Sequence, residues 1–126
     1  MKRTKVLLVD EEDTILNAYS FLLGKEGYHV LTAYNGSKAM EKLHRQRFDL
    51  VITDLATKNG NGHTVLEEIR EMFPLIPVIV LTEKLSPVVK QFAFSMGAYA
   101  LIQKPCSCEM LISCISRSLK RSNCYQ

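Results

Sequence analysis

Five short apolar runs recur along this chain, each followed by residues with helical spacing. They are Lys5-Val6-Leu7-Leu8-Val9, His29 to Ala33, Leu50-Val51-Ile52-Thr53, Val78 to Leu81, and Tyr99 to Gln103. Each run is continuous rather than alternating. A strand with one face in water alternates apolar and polar residues, whereas a strand covered on both faces does not. Runs of this kind separated by helices specify a parallel sheet with helices packed on each side. Right-handed crossovers make the arrangement a doubly wound α/β sandwich.

The intervening segments read as five helices. Asp13 caps the first, which turns Ile15, Ala18, Tyr19 and Leu22 inward and stops at Gly27. Asn35-Gly36-Ser37 opens the second, with Ala39, Met40 and Leu43 on its core face. The third follows a Gly60-Asn61-Gly62 turn and carries Val65, Leu66, Ile69 and Met72 on one stripe. Ser86-Pro87 is a capping residue followed by proline at the first helical position, and it starts the fourth. Val89, Phe92, Ala93 and Met96 form that helix's stripe, and Gly97 ends it. The last helix starts near Ser107 and buries Cys108, Leu111, Ile112, Ile115 and Leu119.

A length of 126 residues accommodates one domain, taken as residues 1–126. The net charge of +3, with no basic run longer than Lys120-Arg121, gives no footprint for nucleic acid. No apolar run approaches the roughly 18 residues that span a bilayer. The basic start leads into a short strand and then acids, not into a signal-peptide core, so a cytoplasmic protein is expected. Cys106, Cys108, Cys114 and Cys124 crowd the last quarter without paired metal-ligand spacing and read as reduced thiols. His29, His44 and His63 are scattered over surface or loop positions and read as solvated.

A parallel sheet places all its carboxyl ends along one edge, which is where open α/β sheets bind ligands. Asp10 and Glu11 follow the first strand, Asp54 the third, Thr82 the fourth and Lys104 the fifth. Two carboxylates about 4 Å apart repel by roughly 4 kcal/mol at an effective dielectric of 20. Three together call for a cation, and an all-oxygen donor set suits magnesium.

These residues stand in the segments VDEE, ITDLA, VLTE and QKPCS. In that order and spacing, over about residues 4 to 121, the chain resembles the receiver domain of two-component response regulators, the chemotaxis receiver among them. The resemblance implies a flavodoxin-like five-stranded sheet in the order 2-1-3-4-5. It implies that Asp54 accepts a phosphoryl group from a sensor histidine kinase, a phosphotransfer protein or a small phosphodonor. Glu11, Asp54 and the backbone carbonyl of Ala56 would hold Mg2+, with Asp10 acting directly or through water. Lys104 would pair with Asp54 and then with a phosphoryl oxygen. The Thr82 hydroxyl would bind the phosphoryl group and carry the signal, and the bond before Pro105 would be cis. Such a domain modifies itself and is not an enzyme. An output partner would dock on the face of the fourth helix, fifth strand and fifth helix, and a homodimer is possible.

Four positions depart from the family pattern. Glu11 replaces the usual aspartate, and its extra methylene is expected to weaken magnesium binding without abolishing it. Lys58 replaces a proline, so the loop after Asp54 is expected to be more mobile. Glu83 follows Thr82 where a small residue is usual; either its charge repels an incoming phosphate, offset by neighbouring Lys84, or its flexible side chain points to solvent, the reading preferred here. Leu101 stands where a Tyr or Phe commonly moves with the threonine; Tyr99, two residues earlier, shares its face but is not its equivalent. Tyr99 and Ala100 also occupy the place of an acidic pair used in one style of dimer, which disfavours that style here. Phe94, Tyr99 and Met110 are candidates for an apolar patch on the output face, against the ordinary reading of singly exposed aromatics. Two other readings compete: a pseudo-receiver that binds partners with weak or no phosphorylation, and a magnesium-dependent phosphohydrolase, for which no further acid or base is found.

Overall fold

In chain order the elements are β1 (Lys5–Val9), α1 (Asp13–Lys25), β2 (His29–Ala33), α2 (Gly36–Arg45), β3 (Leu50–Asp54), α3 (Val65–Met72), β4 (Val78–Thr82), α4 (Pro87–Ser95), β5 (Ala100–Gln103) and α5 (Cys108–Asn123). The structure, a computed structural model, describes residues 3–58 and 63–123, with side chains as far as residue 120. The Gly60-Asn61-Gly62 turn, the bulk of the loop expected to be mobile, and Cys124 lie outside the described residues. The strands form one parallel sheet ordered β2-β1-β3-β4-β5. This is the flavodoxin-like order.

Alternate strand residues divide the core in two. Leu7, Val9, Val51, Val78 and Val80 face α2, α3 and α4, meeting Ala39, Met40, Leu43, Val65, Leu66, Ile69 and Ala93. Val6, Leu8, Leu50, Ile52, Ile79, Leu81 and Ile102 face α1 and α5, meeting Leu16, Tyr19, Leu23, Leu111, Cys114 and Ile115. Each strand thus needs apolar side chains on both faces, which is why its run is unbroken. Burying such a side chain fully contributes about 1.5–3 kcal/mol.

Helix starts follow local chemistry. The Asn35 side chain accepts from Lys38 N, and the Ser86 side chain from Val89 N. Thr64 and Glu67 form a reciprocal capping box at α3. Gly27 and Gly97 follow α1 and α4 with φ of 97° and 92°, a conformation that excludes most side chains.

Several sequence expectations need correction. The N-cap of α1 is Glu12, without a side-chain cap; Asp13 is already helical. The cause is Asp10, whose Oδ1 accepts from Glu12 N at 2.9 Å and turns the chain early. The buried stripe of α1 is Leu16, Tyr19 and Leu23, while Leu22 is exposed, as is Ala18. Met72, in the last turn of α3, is exposed. In α4 only Ala93 is buried; Phe92 is exposed, and Val89 and Met96 are half-buried. In α5 the buried residues are Leu111, Cys114, Ile115 and Ser118, with Cys108, Ile112 and Leu119 at the margin. Tyr99 precedes β5 and packs on the α1/α5 side, whereas Leu101 packs on the opposite side. Strand alternation does not reach a residue outside the strand.

Among the described residues no helix is long and apolar enough to cross a membrane.

Candidate functional site at the carboxyl edge of the sheet

Lys104 organises this edge. Its Nζ donates to Asp10 Oδ2 at 3.0 Å and lies 3.7 Å from Asp54 Oδ2. The side chains of Lys104 and Asp10 are 5% and 1% exposed, that of Asp54 16%. Sequence reasoning paired Lys104 with Asp54; the shorter bond is to Asp10. Burial opposes the Lys104 charge, but the hydrogen bond to Asp10 and the charges of Asp54 and Asp10 outweigh it, and its pKa rises above the ordinary lysine value.

Asp54 ends β3, and the backbone beyond it folds over at once. Leu55 N donates to Leu81 O at 2.8 Å, and Thr57 N donates to Asp54 O at 3.1 Å. Ala56 N reaches Asp54 Oδ1 at 3.4 Å. Burial raises the Asp54 pKa, Lys104 lowers it, Asp10 raises it, the Ala56 N–H lowers it, and Glu83 raises it; the net direction is up. Lys58 is exposed and bridges to Thr64, and Val65 N donates to Thr57 O at 3.2 Å, so the described ends of the following loop meet.

The acidic pair divides its work. Both Asp10 oxygens are engaged, one by Glu12 N and one by Lys104. Glu11 is exposed, and its carboxylate makes no hydrogen bond or ion pair with a described residue. Among the described residues no group of three His, Cys, Asp or Glu side chains is arranged to hold a metal ion. Asp10 and Asp54 thus share one ammonium, while Glu11 is not tied to it.

Thr82 is buried, and its hydroxyl donates to Lys84 O at 3.1 Å. Glu83 is exposed, its charge is among those that raise the Asp54 pKa, and its carbonyl accepts from Gln103 Nε2 at 3.2 Å. The Lys104–Pro105 peptide bond is cis. Phe94 and Tyr99 line a groove of about 630 Å³ at the opposite, amino edge of the sheet, together with Arg70, Leu75 and Pro77. Met110, in the first turn of α5, does not line it, so the candidate three-residue patch is not one surface.

Two residues escaped sequence reasoning. Tyr19 was read as core, yet its hydroxyl donates to Cys106 O at 3.3 Å, just beyond Pro105. Burial first, then the Cys106 side chain, pushes its pKa up to about 12. Gln103 was read only as the end of a strand; its register partner is Thr82, a pairing that the strand order would have revealed.

A half-buried carboxylate facing an ammonium, with a hydroxyl on the adjoining strand, is equipped to bind and neutralise an anionic group, and the carboxylate is a nucleophile. The comparisons bear on the family and the fold. A family model described as response regulator receiver domain matches residues 6–116. The chain is similar to chemotaxis protein CheY4 of Vibrio cholerae, with 32% identity over 94% of this chain and 100% of that one, at a TM-score of 0.86. A receiver domain protein from Clostridium thermocellum matches at 29% identity over 98% and 99% of the two chains, with a TM-score of 0.87. NtrX of Brucella abortus matches at 26% identity and a TM-score of 0.89, over 98% of this chain but only 29% of that longer one. With a family model over residues 6–116 and the strand order β2-β1-β3-β4-β5, the chain belongs to the response regulator receiver domain family.

Proposed function

We propose that Asp54 is the phosphoacceptor of this receiver domain and that its modification switches protein contacts. The observation that carries this reading is the Lys104 ammonium, 3.7 Å from Asp54 Oδ2 and anchored by buried Asp10. An Asp54 carboxylate oxygen attacks the phosphorus of a phosphohistidine or a small acyl phosphate. The new O–P bond forms as the donor's P–N or P–O bond breaks, and the donor leaves with the electron pair. Phosphoryl transfer depends on positioning and charge neutralisation. Lys104 neutralises oxygens of the transferred group, and Thr82 donates its hydroxyl to another.

Receiver domains generally bind Mg2+ at this site, and the donor chemistry here fits it. Magnesium takes hard oxygens, often one or two carboxylates completed by water and substrate phosphate, not an all-protein cage. Glu11 and Asp54 would hold the ion with the Ala56 carbonyl, and Asp10 would act through water because both its oxygens are engaged. When bound, the ion supplies positive charge to the transferring phosphoryl oxygens.

The partners under this reading are a cytoplasmic sensor histidine kinase or phosphotransfer protein and an output protein or second copy on the face of α4, β5 and α5. Leu85, Val88 and Phe92 are exposed on α4 and in the turn before it, which suits such a contact. Residues 1–126 act as one unit, and the domain modifies itself instead of turning over a substrate. The test is intact mass after incubation with acetyl phosphate and magnesium. Wild type should gain one phosphoryl group and Asp54→Asn none. A folded wild type that gains none, beside a positive control, points instead to a pseudo-receiver.

A further inference from the structure

Two successive carbonyls of the turn between β4 and α4 are each held by a side chain from the site. Thr82 Oγ1 donates to Lys84 O at 3.1 Å, and Gln103 Nε2 donates to Glu83 O at 3.2 Å. The two donors are register partners on neighbouring strands, and Lys104 N donates to Thr82 O at 2.8 Å just beyond them. The turn leads into the helix with the weakest hold on the core: Ala93 is its sole buried residue, and Val88, Phe92 and Phe94 stand exposed. Where the turn goes, α4 follows with little apolar burial to oppose it.

The Thr82 hydroxyl has one proton, and in this state it is spent on Lys84 O. Engaging an anionic group on Asp54 requires that proton, so the Thr82–Lys84 bond must break. Gln103 then becomes the remaining side-chain tie on the turn. Leu101, half-buried among aliphatic residues on the far side of the strand, has no donor to contribute.

We propose that Gln103 is a positioning residue that, with Thr82, latches the β4–α4 turn through the Glu83 and Lys84 carbonyls and so sets how readily Thr82 turns towards Asp54. This rests on the phosphoacceptor reading for its second half only; the latch itself belongs to the unmodified protein. Loss of the Gln103 donor loosens the turn, frees Thr82 and leaves α4, with Ala93 as its sole buried residue, less firmly placed. Glu83 takes part through its backbone carbonyl, so its exposed side chain is compatible with the latch.

The test uses the full chain without phosphodonor, as wild type, Gln103→Met and Gln103→Lys, followed by hydrogen exchange of peptides spanning residues 82–90. Gln103→Met keeps the length and removes the donor; Gln103→Lys keeps a donor. Exchange in the turn should rise roughly two- to tenfold in Gln103→Met, the weight of one net hydrogen bond, and stay near wild type in Gln103→Lys. Unchanged exchange in Gln103→Met overturns the latch, and so does equal acceleration in both variants. Acetyl phosphate uptake by Gln103→Met should then quicken by a similar factor. Unchanged uptake beside a loosened turn overturns the coupling to Asp54. If wild type itself takes up no phosphoryl group while exchange responds as expected, the latch stands and the phosphoacceptor reading falls.

Discussion

At the scale of single residues the site is a problem in placing charge. Asp10 is fully buried, and Lys104 is its one cationic partner among the described residues. Replacing one member of a buried pair strands the other, which costs about 3–5 kcal/mol. Lys104→Met should therefore lose about 3 kcal/mol in urea unfolding, and Asp10→Asn added to it should recover a substantial part. Asp54 has the opposite character. Burial is the main cause that lifts its pKa above the ordinary carboxylate value, so the folded state holds the proton more tightly than the unfolded chain does. Its contribution to stability is complete below the unfolded value, about 3.9, and is lost as pH rises through the higher folded value. At pH 7 the ionised Asp54 is a cost. Asp54→Asn should melt higher than wild type at pH 7, and the two curves should converge as pH falls towards 4. A wild type more stable than Asp54→Asn at pH 7 would refute this account.

At the scale of elements, two glycines make opposite predictions. Gly24 lies within α1, and a methyl group added there would meet nothing within 4 Å. Gly24→Ala should stabilise by about 0.5–1 kcal/mol, because alanine has less freedom to lose on folding. Gly97 has φ of 92°, and a Cβ there would sit 2.5 Å from Arg70 Cδ. Gly97→Ala should destabilise by more than 1 kcal/mol, read as a shift of the urea midpoint in the other direction. Thr64→Ala, which breaks the α3 capping box, should cost about 1 kcal/mol. The elements themselves were legible because a strand buried on both faces must be an unbroken apolar run. Helix phase was less so. The first helix carries Ile15, Leu16, Tyr19, Phe21, Leu22 and Leu23, more apolar surface than one face can bury, and periodicity alone favoured Leu22 over Leu23. The strand-end residues were legible because topology, not side-chain detail, brings them to one edge. Their pairing was not: the preference of Lys104 for Asp10, and of Thr82 for Lys84 O, depends on rotamers and on a turn whose path no spacing rule fixes.

At the scale of the whole molecule, the sheet couples the site to global stability. β1 and β3 are interior strands, with Val6 to Val9 and Leu50 to Ile52 fully buried, and they hold Asp10 and Asp54 at their carboxyl ends. Unfolding therefore scatters every residue of the site at once, and an ion held by the folded chain alone must raise the unfolding midpoint. At a free concentration of 100 times the dissociation constant the gain is about 2.7 kcal/mol. Magnesium should thus raise the melting temperature of wild type by several degrees, with a logarithmic dependence once the site is filled. Asp54→Asn, which removes one anionic ligand of the proposed set, should gain much less at equal magnesium, although its baseline at pH 7 should be higher. Glu11→Gln should also blunt the gain, and unlike Asp54→Asn it should leave the metal-free melting temperature near wild type, because Glu11 is exposed and unpaired among the described residues. A full magnesium response in Glu11→Gln would remove Glu11 from the ligand set and leave the ion to Asp54 and the backbone.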